Sequence, residues 1–224
     1  MRPNWNPKTL WQLARLSLPL GCMMMLVSLN VNIPRYFVQG HLGERQLGFF
    51  VAVAYLMVAV STVVTALGQA ASPRLARYHS GGNNPQAFRL LLTKLVIAIT
   101  VLSGIGVLAA LFAGREILTI LYRPEYASSA DVLLWLMIAS GIGGVGVILR
   151  YGTISARCFT VQLPLWIVIA GSNAIACLFL IPKYGVKGAA MAMTVSALVQ
   201  VGGNLLILLR ADGALRRARA EGRV

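Results

Sequence analysis

The chain has 224 residues, of which 58% are hydrophobic and only 12% are charged, and its formal net charge is +14. A soluble domain carries about twice this share of charged residues, so the composition excludes an ordinary soluble protein. We therefore expect an integral membrane protein, in which each spanning helix needs roughly 20 apolar residues.

Six long apolar runs predict six transmembrane helices in an all-α, polytopic membrane helix bundle. Between the third and fourth runs, GREILTILYRPEYASSAD is amphipathic and contains Pro124, which predicts a short interfacial helix and a turn. The loops leave no room for a soluble domain, so residues 1–224 are expected to form a single transmembrane domain. The predicted spans are about 13–38, 47–71, 89–113, 130–156, 162–181 and 188–209, followed by a basic tail at 210–224.

The first apolar run is too long for the core of a signal peptide, and no small-residue cleavage pattern ends it. We therefore interpret it as the first span rather than as a secretory signal.

The basic residues are distributed unevenly between the predicted loops. If the N-terminus is cytoplasmic, fourteen of the 20 Lys and Arg residues lie inside and six lie outside. This bias follows the positive-inside rule and predicts a multi-pass protein of the cytoplasmic (inner) membrane with both termini in the cytoplasm. The basic tail can be a topology signal or rest on anionic headgroups, so we expect the lipid bilayer, and no nucleic acid, as a partner.

Polar side chains recur at helical spacing on four of the predicted spans. On the first span, Ser28, Asn32 and Arg35 are separated by four and three residues and therefore share one face. Amides in hydrocarbon need partners, which leaves two interpretations: hydrogen bonds between helices, or the lining of a polar cavity. The candidate cavity residues are Asn32, Arg35, Thr62, Gln69, Arg150, Asn173, Gln200 and Asn204.

Arg150 is the most informative of these candidates because it lies inside the fourth predicted span. An arginine in a span is costly and indicates a functional site by default. No acidic residue lies deep in any predicted span, so no proton or sodium site made of carboxylates is visible. A cavity lined by arginines and amides suits an anionic group such as a pyrophosphate.

Enzyme motifs are absent from the sequence. His41 and His79 fall in loops on opposite sides of the predicted membrane, and the glycine-rich stretch SGIGGVGV lacks the lysine of a nucleotide-binding loop. The three cysteines have neither metal-ligand nor disulfide spacing. We expect a protein that is not an enzyme and uses no cofactor and no metal.

Four phrases, LGERQLGFF, ASPRLA, YRPEYA and YGVKGAA, occur in this order along the chain. In order and spacing they resemble the second half of the polysaccharide and lipid-linked oligosaccharide (O-antigen type) flippases of the multidrug/oligosaccharidyl-lipid/polysaccharide exporter superfamily. The resemblance covers nearly everything from Thr9 to Leu209. It implies one six-helix lobe of a two-lobe transporter that flips an undecaprenyl-pyrophosphate-linked oligosaccharide for polysaccharide or lipopolysaccharide biosynthesis. It supplies no signature site residues.

Other functions stay open at this point. A multidrug antiporter lobe of the same superfamily is disfavoured by the missing buried carboxylate, which another lobe can supply. A membrane-embedded glycan polymerase or ligase would need larger outer loops. An inactive fragment or scaffold of a disrupted transporter gene also fits the length. Because one lobe forms one wall of a cavity, we expect the chain to need a first-half six-helix lobe or a second copy of itself.

Overall fold

The computed structural model describes residues 7–80, 85–122, 125, 130–155 and 161–220, and their regular structure is helical. The helices are α1 (Pro7–Leu42), α2 (Glu44–Ser80), α3 (Pro85–Leu121), α4 (Ala130–Ser155), α5 (Gln162–Tyr184) and α6 (Val186–Ala220).

Single glycines separate two of the helix pairs. Gly43, between α1 and α2, has a φ of 82°, and Gly185, between α5 and α6, has a φ of 60°. Both values lie in a region that a side chain disfavours and that glycine adopts readily. The backbone N–H of Gly185 donates to the carbonyl of Ile181 and so satisfies an end of α5. Each turn is thus a loop of one residue, which connects α1 directly to α2 and α5 directly to α6.

All six helices cover their predicted spans, except that Ala156 lies outside the described residues, and most continue past them. The separate interfacial helix expected after Gly114 is wrong, because α3 runs without interruption to Leu121. Gly114 lies against Ala130 and Leu133 of α4, so the helix remains packed at this point. Nothing in the sequence breaks the helix before Pro124, which lies outside the described residues.

Five helices of the described part of the chain, α2 to α6, are long and apolar enough to cross a membrane. The structure is therefore a helical membrane bundle, and the sixth span, in α1, stays a prediction. The apolar stretch of α3 is mostly exposed, with side chains such as Ile105 and Phe112 directed away from the bundle. Such a face suits contact with lipid acyl chains.

Helix α4 lies at the centre of the bundle and packs against α2, α3 and α6. Small residues allow this close approach, as expected for helix packing in membranes. A side chain at Gly144 would meet Ile99 and Val64, and one at Gly146 would meet Gln200. The glycine-rich stretch of α4 thus serves close packing with three neighbouring helices.

The buried apolar core lies largely toward one end of the bundle, around Val38, Phe50, Leu118 and Leu136. At the same end, Asp131 at the start of α4 pairs with Lys187 at the start of α6. A smaller cluster around Leu75 and Phe88 lies where α2 ends and α3 begins. Between these clusters the helices leave a cavity.

Candidate functional site: a cavity with two arginines

The cavity has a volume of about 340 Å³ and receives side chains from α1, α2, α4, α5 and α6. Its wall is mainly apolar, with polar groups at separate points, as is usual for small-molecule sites. The polar residues that line it are Asn30, Arg35, Ser61, Thr65, Ser140, Arg150, Trp166, Asn173, Ser196 and Gln200. Two of them are arginines, and no carboxylate lines the cavity in the described part of the chain. The site therefore carries positive charge and favours an anion.

Arg35 is held at the cavity by its own helix. Its Nη1 donates to Oδ1 of Asn32 at 3.2 Å, and Nδ2 of Asn32 donates to the carbonyl of Ser28 at 2.9 Å. Asn32 is not among the residues that line the cavity. The structure therefore places Asn32 behind Arg35 and not on the cavity wall.

Arg150 lies between two aromatic rings. Its guanidinium carbon is 5.6 Å from the ring centroid of Tyr151 and 5.9 Å from that of Trp166, within the range of cation–π contacts. Its Nε is buried and has no hydrogen-bond partner among the described residues, and the same is true of Nε1 of Trp166. Buried donors of this kind are normally satisfied. Two unsatisfied donors from side chains on one cavity wall indicate a place for a hydrogen-bond acceptor.

Asn173 lines the cavity but is fully occupied by protein contacts. Its Nδ2 donates to the backbone carbonyl of Asn30 at 2.8 Å and to Oδ1 of Asn30 at 2.9 Å. Its Oδ1 accepts from Sγ of Cys177 at 3.7 Å. The amide thus joins α5 to α1 and is 0% exposed.

Gln200 lines the cavity, whereas Asn204, one turn further along α6, lies in a separate buried network. Nε2 of Gln162 donates to Oδ1 of Asn204 at 3.1 Å and also to the hydroxyl of Thr153. The Thr153 hydroxyl donates to the carbonyl of Arg150 at 2.8 Å. This network joins α4, α5 and α6 in the way expected of hydrogen bonds between membrane helices.

Thr62 and Gln69 lie outside the cavity, in a shallow groove on the exposed face of α2 that also contains Ser61, Thr65 and Ala66. Ser61 and Thr65 line both the groove and the cavity. The cavity therefore adjoins a polar, exposed face of α2. Hydroxyls on this face can donate to carbonyls of their own helix. The hydroxyl of Thr62, for example, donates to the carbonyl of Val58 at 2.8 Å.

The structure brings Arg35, Arg150, Asn173 and Gln200 together at one cavity and leaves the other four candidates outside it. Sequence reasoning did not select Trp166, although a signal existed. Gln162, Trp166, Asn173 and Cys177 share one helical face by their spacing, and all four are buried. A tryptophan on a face with two amides, rather than among lipid-facing residues, marks a polar site.

The chain is similar to the capsular polysaccharide biosynthesis protein CapF of Staphylococcus aureus, with 27% identity over 184 residues. The match covers 82% of this chain and 46% of that protein, so the chain spans less than half the length of this curated relative. No protein-family model and no solved structure matches the chain. The similarity relates this membrane bundle to a protein of polysaccharide biosynthesis.

Proposed function

We propose that this chain is one lobe of a membrane transporter that flips a lipid-linked oligosaccharide, carried on undecaprenyl pyrophosphate, across the cytoplasmic membrane. The observation that carries the proposal is the cavity lined by Arg35 and Arg150 and, among the described residues, by no carboxylate. Guanidinium groups bind phosphate oxygens through several N–H donors. The relation to a capsular polysaccharide biosynthesis protein supports a glycan as the cargo.

The size of the cavity limits what this chain holds by itself. A volume of about 340 Å³ is at the lower end of small-molecule pockets. It suits a charged headgroup better than a whole oligosaccharide. The glycan would then occupy space that a second helical bundle encloses together with this chain.

A multidrug antiporter lobe is the second candidate, and the same cavity disfavours it. The two arginines that line this cavity repel an organic cation, and no carboxylate among the described lining residues offsets their charge. Export of a cationic dye by the assembled transporter, with no flipping of a lipid-linked glycan, would favour this alternative.

We expect the chain to be inactive as a monomer. The groove on α2 exposes Ser61, Thr62 and Gln69 within an apolar span, and polar groups that face lipid are unfavourable. We propose that a first-half six-helix lobe packs over this groove, because the similar protein is about twice as long as the matched region. A second copy of the chain is the other possible cover, although it would require a self-complementary surface.

The test is purification in mild detergent, alone and co-expressed with a candidate first-half chain, followed by mass measurement and a vesicle flipping assay with a fluorescent lipid-linked glycan. Flipping is expected only for the paired species. Flipping by a verified monomer would contradict the proposal of an incomplete lobe. Pairing without flipping would support the inactive scaffold.

The orientation of the chain in the membrane is a separate prediction. In a cysteine-free background, His41→Cys and Glu125→Cys should react with a membrane-impermeant maleimide added outside the cell. Arg77→Cys, near the other end of α2, should react only after the membrane is permeabilised. All three positions are exposed in the structure. The reverse labelling pattern would place the termini outside.

A further inference from the structure

Pro34, which is buried, interrupts the backbone hydrogen bonding of α1 within its predicted span. In an α-helix, the N–H of each residue donates to the carbonyl four residues earlier, and proline has no N–H. The carbonyl of Asn30 therefore loses its helical donor. Inside a membrane such a carbonyl needs a substitute donor, because water is not at hand.

The substitute comes from α5. Nδ2 of Asn173 lies 2.8 Å from the carbonyl oxygen of Asn30 and 2.9 Å from Oδ1 of the same residue. On the other side of the amide, Oδ1 accepts the thiol of Cys177 at 3.7 Å. Both the donors and the acceptor of Asn173 are thus engaged, so the orientation of the amide is set by the protein itself.

Pro34, which lacks the N–H, directly precedes Arg35, and α1 continues through both residues as one helix. Beyond Arg35, the last part of α1 packs into the apolar core through Val38, which is 0% exposed, and Leu42 lies beside Gly185 at the end of α5. Asn173 thus contacts α1 five residues before Arg35, at the carbonyl that lacks a donor within the helix. A helix that lacks a hydrogen bond at a proline bends more easily there, so this contact bears on the position of the segment that carries Arg35.

We infer that Asn173 is a positioning residue: it satisfies the carbonyl that Pro34 leaves free and thereby holds this part of α1, with Arg35, at the cavity. Only the binding of an anion by Arg35 rests on the proposed function; the contact between Asn173 and α1 does not. The amide of Asn173 is assigned to α1 and not to the transported molecule.

The structure allows a specific test, because Pro34→Ala restores the N–H that Asn30 lacks. In the full chain, Asn173→Leu is expected to lower the melting temperature by about 4 °C. In the Pro34→Ala background the same substitution should lower it far less. Ser172→Ala is the matched control, since this neighbouring hydroxyl donates only within its own helix, to the carbonyl of Ile169 at 2.8 Å.

A second measurement follows the position of α1 directly. Spin labels at Gln39 and Tyr184, both exposed near the ends of α1 and α5, report the distance between the two helices. Asn173→Leu should broaden or shift this distance distribution, and adding Pro34→Ala should restore it. The inference would be overturned if the double variant lost as much stability as the two single variants together. It would also be overturned if Asn173→Leu left the spin-label distance distribution unchanged.

If Asn173→Leu alone does not accumulate in the membrane, the double variant with Pro34→Ala must accumulate, and its failure would also overturn the inference. Neither measurement uses a substrate. A wild-type chain that fails to flip glycan, alone or paired, while the double-variant rescue holds, would therefore contradict the proposed function and leave the role of Asn173 intact. In a transporter that does flip, Asn173→Leu should lower the flipping rate, and Pro34→Ala should recover it.

Discussion

Arg150→Ala is expected to lower the rate of glycan flipping by the assembled transporter by about tenfold or more. A hydrogen bond to a charged group contributes about 1.5–3 kcal/mol, and 1.4 kcal/mol corresponds to a factor of ten. The effect should fall on activity and not on the amount of protein. Nε of Arg150 has no hydrogen-bond partner in the described part of the chain, so its removal leaves no acceptor unsatisfied there.

The charge-retaining variant separates electrostatics from geometry. Arg150→Lys keeps the positive charge and loses the planar guanidinium that lies near the rings of Tyr151 and Trp166, so an intermediate rate is expected. Trp166→Phe removes the unsatisfied indole N–H but keeps an aromatic ring in the same place, and it should also reduce flipping.

The control is Arg210→Ala, which removes an exposed arginine at the far part of α6 and should leave the rate near that of the wild type. Rates are measured as loss of accessible fluorescent glycan in vesicles, normalised to the amount of reconstituted protein. An unchanged rate for Arg150→Ala, or a loss of folded protein that accounts for the whole effect, would make Arg150 a packing residue or a membrane anchor.

Gly188→Ala is expected to be the most damaging single methyl addition in the bundle. A β-carbon at this position would lie 2.1 Å from the backbone oxygen of Leu180 and 2.8 Å from the backbone nitrogen of Ile181. Backbone atoms cannot rotate away as a side chain can, so the α5–α6 turn must open. Overpacking commonly costs about 1–3 kcal/mol, and a clash with backbone should reach or exceed the upper value.

Gly202→Ala is the matched control on the same helix. Apart from its chain neighbours and the nearby backbone of its own helix, no described atom lies within 4 Å of the position of a β-carbon at Gly202. Alanine is also more favourable than glycine in a helix interior by about 0.5–1 kcal/mol. The measurement is thermal unfolding in detergent, read as loss of monodisperse protein. A large fall for Gly188→Ala with no fall for Gly202→Ala is expected. Equal melting temperatures for Gly188→Ala and the wild type would show that the turn has room.

Much of the fold could be predicted from the sequence because the membrane makes strict demands on the chain. Long uncharged runs can satisfy their backbone only as helices, which predicted where each of the six helices lies. Their ends were less predictable, since α3 continues to Leu121 through a region whose amphipathic pattern predicts a separate interfacial helix. The pattern does not show whether such a segment is separate from the preceding helix or continues it, because a helix can extend beyond the hydrocarbon without a break.

The candidate site was predicted only in part. Helical spacing places Asn32 and Arg35 on one face, and it does not say which of them reaches the cavity. One residue along a helix turns the side chain by about 100°. A small rotation of the helix therefore decides whether a side chain lines the cavity or lies in a contact between helices. The structure places Arg35 at the cavity and Asn32 behind it, and it places Gln200 at the cavity and Asn204 in a network with Gln162.

By itself, then, the sequence determined that the chain is a helical membrane protein, that its spans carry polar faces, and that Arg150 lies inside one of them. Only the tertiary structure decided what those polar groups touch. The pairing of Asn173 with Asn30 joins residues 143 positions apart, and the contact of Arg150 with Trp166 crosses from α4 to α5. Local spacing specifies a face of one helix, whereas the neighbour that meets this face depends on how all the helices pack together.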